Sequence, residues 1–139
     1  MAGDFIEGNK SREYTAPMLQ GLNHGYAVIT VDYRLSGEAK FPAAINDAKA
    51  AIRFIKVNAA QYNLNSNKIV LWGSSAGGNL AALADNTTDG TNNCYDTSLG
   101  NANVSDNVTA VVDWYGPINF CVMDKQFKES GIREKVQGV

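Results

Sequence analysis

A chain of 139 residues suffices for one modest domain and is short for most single-domain α/β enzymes. Its 45% apolar content provides for a core, and a formal charge of −2, mixed along the chain, excludes the basic footprint of a nucleic-acid or anionic-membrane binder. No apolar run reaches transmembrane length, the start lacks the charged-then-apolar layout of a signal peptide, and two cysteines are too few for a disulfide scaffold and match no metal-site spacing.

Residues 1–10 read as a loop with two glycines. A helix is expected from Ser11 to about Leu22, capped by Ser11, with Pro17 either kinking it or marking its true first turn. His24-Gly25 ends it, the glycine being available for a left-handed cap. Tyr26 to Asp32 is an apolar, β-branched run and reads as a buried strand. Pro42 sits where first-turn prolines belong, and Ile45, Ala48, Ile52 and Ile55 then recur at helical spacing as one apolar face. Lys49, Arg53 and Lys56 fall off that face and are expected to be exposed. The helix fades at 61–63, and 65–67 turns into the next strand.

That next stretch, Ile69 to Leu83, carries the chemistry. A short apolar run ending in Trp72 leads into Gly73-Ser74-Ser75-Ala76-Gly77, and an Ala/Leu-rich helix follows. Gly-x-Ser-x-Gly between a strand and a helix is the pattern of a nucleophile elbow, with the serine at the apex of a strained turn. Residues two positions to either side must be nearly side-chain-free, or they meet adjacent backbone. The helix start also aims free N–H groups and a positive dipole end at the place where an oxyanion would form.

Beyond this helix, Asp85 to Asn107 is polar and too long for an ordinary connection, so it is either a functional excursion or a flexible insert. Val108 to Trp114 is the next strand, Tyr115-Gly116-Pro117 a turn, and Met123 to Ser130 a short helix. Strand, helix, strand, helix, strand is the rhythm of a parallel sheet covered on both faces, a three-layer α/β/α sandwich. Ligands gather at the carboxyl ends of such strands, where Ser75 and Asp32 fall and near which Asp113 lies. Asp113 is a candidate acid, but a strand-end carboxylate bonded to loop N–H groups is the favoured reading. Asp32 is expected to hold its loop by pairing with Arg34 or Arg53. Trp72, Trp114 and Tyr115 read as core or pocket wall. Cys94 and Cys121 either form one bridge or stay as two free thiols, and sequons occur at Asn9, Asn86, Asn103 and Asn107.

Taken together, these segments resemble the α/β-hydrolase superfamily, in its esterase/lipase group with feruloyl-esterase-like and acetyl-xylan-esterase-like members. The resemblance lies in the Asp32-Tyr33-Arg34-Leu35 loop, in Phe41-Pro42-Ala43-Ala44 with Asp47, in the elbow, and in Asp113-Trp114-Tyr115-Gly116-Pro117. It implies a carboxylic-ester hydrolase with Ser75 as nucleophile and a small-molecule ester as substrate. Gly73, Ser74 and Gly77 would shape the elbow. The Ala76 N–H would be one oxyanion donor and the backbone near Gly3 and Asp4 the second, although Met1 stands where that loop's histidine is expected. No cofactor and no metal are implied. Partners in this fold follow the order serine, acid, histidine. The single histidine, His24, precedes the serine, so residues 1–139 are expected to be a partial domain, lacking early strands and the acid and histidine part. A non-catalytic binding domain and a peptidase of the same superfamily are the alternatives. Oligomeric state and compartment, cytoplasmic or secreted, stay open.

Overall fold

The computed structural model describes residues 5–6, 15–88 and 96–131. The expected first helix is a 3₁₀ helix, Ala16–His24, with Pro17 in its first turn and Gly25 closing it in the left-handed region at φ 78°. Its expected start at Ser11 lies outside the described residues, as does the loop 1–4. Helix α1, Ala43–Asn58, begins directly after Pro42. Strand β1, Val70–Ser74, leads through Ser75 into helix α2, Ala76–Asn86. Strand β2, Ala110–Trp114, runs parallel to β1 in the register Val70–Ala110 through Ser74–Trp114. Helix α3, Phe120–Ser130, starts three residues earlier than the sequence suggests.

The sheet therefore has two strands among the described residues where three were expected. Residues 26–32 form no ladder, although their β-branched pattern favours one. A ladder needs backbones about 4.8 Å apart. Here residues 26–31 and 68–72 both line a cavity of about 780 Å³, and no ladder joins the two stretches. The side chains on this stretch consequently stay open, Tyr26 and Ile29 among them.

The core forms where α1 and α2 meet beside the sheet. Ile45 and Ile52 from α1 pack with Leu80 and Ala84 from α2 and with Tyr33, and Leu71, Leu83 and Val108 border them. Ala48 is buried on the same face of α1, as the helical period requires. The loop after residue 32 is fastened to α1 by a forked ion pair. Arg34 Nη2–H and Nε–H donate to the Asp47 carboxylate at 2.7 and 2.9 Å, and the Arg34 backbone N–H adds a third bond at 2.8 Å. That carboxylate, by hydrogen bond and by charge, raises the guanidinium pKa above its ordinary value.

Two expectations about charge are corrected. Lys49 and Arg53 are fully buried, because they reach across α1 to Asp106, itself fully buried, at 3.6 and 3.7 Å. Lys49 Nζ also donates to the Thr87 carbonyl, and Arg53 donates to the carbonyls of Gly100 and Asp96, both at 3.1 Å. Arg34 is thus engaged by Asp47, and Arg53 by Asp106. The described half of the polar excursion, 96–107, is consequently tied down on α1, where Lys56 adds a bond to Asn107 Oδ1 at 2.5 Å. Among the described residues Cys121 is an exposed free thiol, whereas Cys94 lies outside them. No described helix is long and apolar enough to cross a membrane.

Candidate functional site

The site is built where β1 and β2 end side by side. Ser75 is the single residue between β1 and α2, with φ 52° and ψ −124°, a conformation that L side chains rarely adopt. Two backbone bonds hold it there. Its N–H donates to the Trp114 carbonyl across the sheet (2.9 Å), and its carbonyl accepts the first helical bond from the Asn79 N–H (3.1 Å). Ala76 is the first residue of α2 and fully buried, so its N–H belongs to the first turn, whose donors have no intrahelical acceptor.

Close approach of backbone to backbone makes so sharp a turn feasible. A Cβ at Gly73 would overlap the Gly77 carbonyl, which is backbone and cannot move aside. A Cβ at Gly78 would overlap Asp113 Oδ1, and one at Gly116 would stand 2.5 Å from both the Asn79 nitrogen and that same oxygen. The loop after β2 is therefore pressed against the first turn of α2. Asp113 Oδ1 accepts a bond from the Gly116 N–H at 2.8 Å, and Asn79 Nδ2–H donates to the Pro117 carbonyl at 2.7 Å. Asp113 is thus engaged by the loop that follows its own strand. Trp72 and Trp114, diagonal neighbours across the pair, meet edge to face with centroids 4.9 Å apart.

Of the residues singled out from the sequence, Gly73, Ser74, Ser75, Ala76, Gly77 and Asp113 come together at this end of the sheet. Gly3 and Asp4 lie outside the described residues. His24 does not join them. It lines the large cavity with Asn65 and Lys68, toward the amino end of β1, whereas Ser75 follows the carboxyl end and lines no part of it. Sequence reasoning passed over Asn79, Gly78 and Gly116, which lock loop to helix. The run of small residues around Ser75 hinted at close packing, but nothing local pointed to the loop after β2 as the partner. Among the described residues no group of histidine, cysteine and carboxylate side chains could hold a metal ion.

Comparisons with known proteins place this geometry in context. Residues 2–138 match the model of the BD-FAE family. The chain is 50% identical over 81 residues to AB hydrolase superfamily protein C1039.03 of Schizosaccharomyces pombe, which is 58% of this chain and 24% of that protein. It is 49% identical over 80 residues to an arylesterase of Saccharolobus solfataricus, again 58% of this chain and 26% of the relative. A bifunctional GH43-CE protein of Bacteroides eggerthii superposes with a TM-score of 0.79 at 38% identity, covering 87% of this chain and 18% of that one. This chain thus spans only about a quarter of the length of these curated relatives. With a parallel strand pair, a helix launched from a strained serine, and a family match running from residue 2 to residue 138, the chain has the α/β-hydrolase fold and belongs to the BD-FAE family.

Proposed function

We propose that this chain carries the nucleophile of a serine hydrolase acting on carboxylic esters. The observation that supports it best is Ser75 itself, held at positive φ between a strand and a helix start by a bond to the neighbouring strand. Such strain in a non-glycine residue costs about 1–3 kcal/mol and clusters at working sites. The names of the relatives, arylesterase, carboxylesterase and carbohydrate esterase among them, point the same way.

In this reading Ser75 Oγ attacks the ester carbonyl while a general base takes its proton. The oxyanion of the tetrahedral intermediate accepts a bond from the Ala76 N–H, with the backbone near Gly3 and Asp4 as the second donor. Collapse expels the alcohol and leaves an acyl-enzyme, which water hydrolyses to acid and free serine. The base and its acid come from outside 1–139, since the fold uses the order serine, acid, histidine and His24 precedes Ser75. Residues 1–139 are then a partial domain.

The test uses the protein expressed from its full reading frame, a fluorophosphonate probe and simple esters. Ser75→Ala should abolish labelling and lower ester turnover by at least about a thousandfold, since without the nucleophile only the catalysis due to binding and the oxyanion hole survives. Undiminished labelling in that variant would overturn the assignment. The 139-residue chain alone should label slowly, and fast labelling of Ser75 there would refute the external base. A non-catalytic binding domain rests only on the lack of a histidine after Ser75, and the same experiment decides it.

A further inference from the structure

Phe5 directly follows Gly3 and Asp4, whose backbone is the proposed second oxyanion donor, and it is held from three directions. Its carbonyl accepts a bond from the Ser36 N–H at 2.8 Å. Its side chain packs against the core, as does that of Leu35. Its ring also meets Phe120 with centroids 6.0 Å apart, and Phe120 opens α3 on the segment that leaves the carboxyl end of β2. Consecutive Cα atoms lie 3.8 Å apart, so a donor at residue 3 or 4 stands one or two peptide units from this fixed point.

Ser36 does not hold Phe5 by itself. It belongs to a turn in which the Leu35 N–H donates to Glu38 Oε2 at 2.8 Å. The Leu35 carbonyl accepts from the N–H groups of Glu38 and Ala39 at 2.9 and 3.0 Å. The turn is fastened to α1 by Asp47. Its Oδ1 accepts from Arg34 Nη2–H, and its Oδ2 accepts from both Nε–H and the backbone N–H of Arg34. A fork on the guanidinium fixes the side chain in one plane. The third bond, to the backbone, fixes where the chain itself passes. The anchor is firm, because Asp47 lies on α1 between Ile45 and Ala48, both buried in the core.

We infer that Asp47 and Arg34 are positioning residues for the oxyanion hole: their fork fixes the turn, the Ser36 N–H then holds the Phe5 carbonyl, and Phe5 sets where the donor at Gly3 or Asp4 stands relative to Ser75. Neither residue touches the ester. The inference rests on Ser75 being the nucleophile and on that backbone being the second donor. A donor to the oxyanion acts on the tetrahedral state, so its misplacement lowers kcat and leaves KM nearly unchanged.

The experiment uses the protein expressed from its full reading frame, with phenyl acetate as substrate and trifluoroacetophenone as transition-state analogue. Rates are divided by the serines that a fluorophosphonate labels at completion, so loss of folded protein does not enter. Ser75 Oγ adds to the ketone carbonyl and gives its proton to the general base, the ketone oxygen becomes the oxyanion, and the Ki reads the hole. Removing an oxyanion donor outright lowers kcat by about 10²–10³, and one left loose should cost less. Asp47→Ala and Ser36→Pro, which deletes the N–H itself, should each lower kcat about tenfold with KM within about twofold, and raise the ketone Ki by the same factor. Asp47→Asn keeps one acceptor oxygen and should lose about threefold, and it decides alone where Asp47→Ala leaves no serine to label. Because both sites act through one link, Asp47→Ala with Ser36→Pro should lose no more than about twofold beyond the larger single loss, whereas independent damage would multiply to about a hundredfold. An unchanged kcat per labelled serine, a loss confined to KM, an unmoved ketone Ki or multiplicative losses overturns the inference and leaves the nucleophile untouched. Full turnover by Ser75→Ala, or neither turnover nor serine labelling in the unaltered protein, overturns both.

Discussion

Gly78→Ala provides a test whose sign should depend on a second residue. Gly78 is the third residue of α2, where exchanging glycine for alanine ordinarily stabilises a helix by up to about 1 kcal/mol. Here the new Cβ would overlap Asp113 Oδ1 and stand 3.2 Å from both Asp113 Cγ and the Gly73 carbonyl. Inserting a methyl into such a contact costs about 1–3 kcal/mol, so the single variant should lose roughly 1–2 kcal/mol net. Asp113→Ala alone should lose about 1 kcal/mol with the Gly116 bond. In that background the overlapping carboxylate is gone and the 3.2 Å approach to the Gly73 carbonyl remains, so Gly78→Ala should become neutral or stabilise by up to about 1 kcal/mol. The coupling, about 2 kcal/mol, is large for a double-mutant cycle. Urea unfolding read by tryptophan fluorescence suits the measurement, since Trp72 and Trp114 meet 4.9 Å apart beside the elbow. At an m-value of about 2 kcal/mol per molar, that coupling displaces the midpoint by about 1 M. Gly73→Ala is the contrasting control, because its Cβ meets the Gly77 backbone and no Asp113 variant can rescue it. Equal losses for Gly78→Ala in both backgrounds would refute the idea that the carboxylate sets the room available at α2.

Two further outcomes concern the excursion on α1. Asp106→Ala removes the carboxylate against which fully buried Lys49 and Arg53 both lie, and should cost about 3–5 kcal/mol in urea unfolding. A loss below about 1 kcal/mol would mean the ions are not held as described. Asp96 accepts bonds from the Ser98 hydroxyl (2.6 Å) and the Ser98 N–H (2.9 Å), which hold its carboxyl below the usual carboxylate range. Its folded pKa being depressed, its stabilisation is present above the unfolded value of about 3.9 and fades as pH falls through the folded one. The midpoint difference between the native chain and Asp96→Asn should therefore be constant from about pH 5 to 7 and shrink toward pH 3; a pH-independent difference would contradict the assignment.

The residues that periodicity describes were the easiest to read. Ile45, Ala48 and Ile52 lie in the core because a 3.6-residue repeat leaves an apolar face no other place to go. Lys49 and Arg53 were misjudged by the same logic. A helical wheel shows which face is polar, but only the folded excursion brings Asp106 across to bury it. Tyr26 to Asp32 carries the local preference of a strand, yet a strand is a property of two backbones, and among the described residues none pairs with this one. At the site, Gly73-x-Ser75-x-Gly77 was legible because the turn's geometry dictates those residues, although the strain at Tyr115 was not. A Tyr-Gly-Pro turn suggests that the glycine takes the positive φ, and here the tyrosine does.

That pairing of strained residues has an energetic consequence. Ser75 and Tyr115 each store about 1–3 kcal/mol of backbone strain, and something must hold both. The bonds available are Ser75 N–H to the Trp114 carbonyl, Gly116 N–H to Asp113, and Asn79 to the Pro117 carbonyl, each contributing about 1 kcal/mol net. Three such bonds, about 3 kcal/mol together, offset only about half of the upper end of a summed strain of about 2–6 kcal/mol, so the tight backbone contacts at Gly73, Gly78 and Gly116 help to hold the rest sterically. Every one of these restraints joins the β1–α2 turn to the β2 loop or lies within a few residues of that junction. Loosening the β2 loop should then relax Ser75 as well as Tyr115. In a protein that uses Ser75 as its nucleophile, the loop after β2 and the elbow would then act as one preorganised unit, and a substitution on the loop is expected to alter reactivity at the serine without touching it.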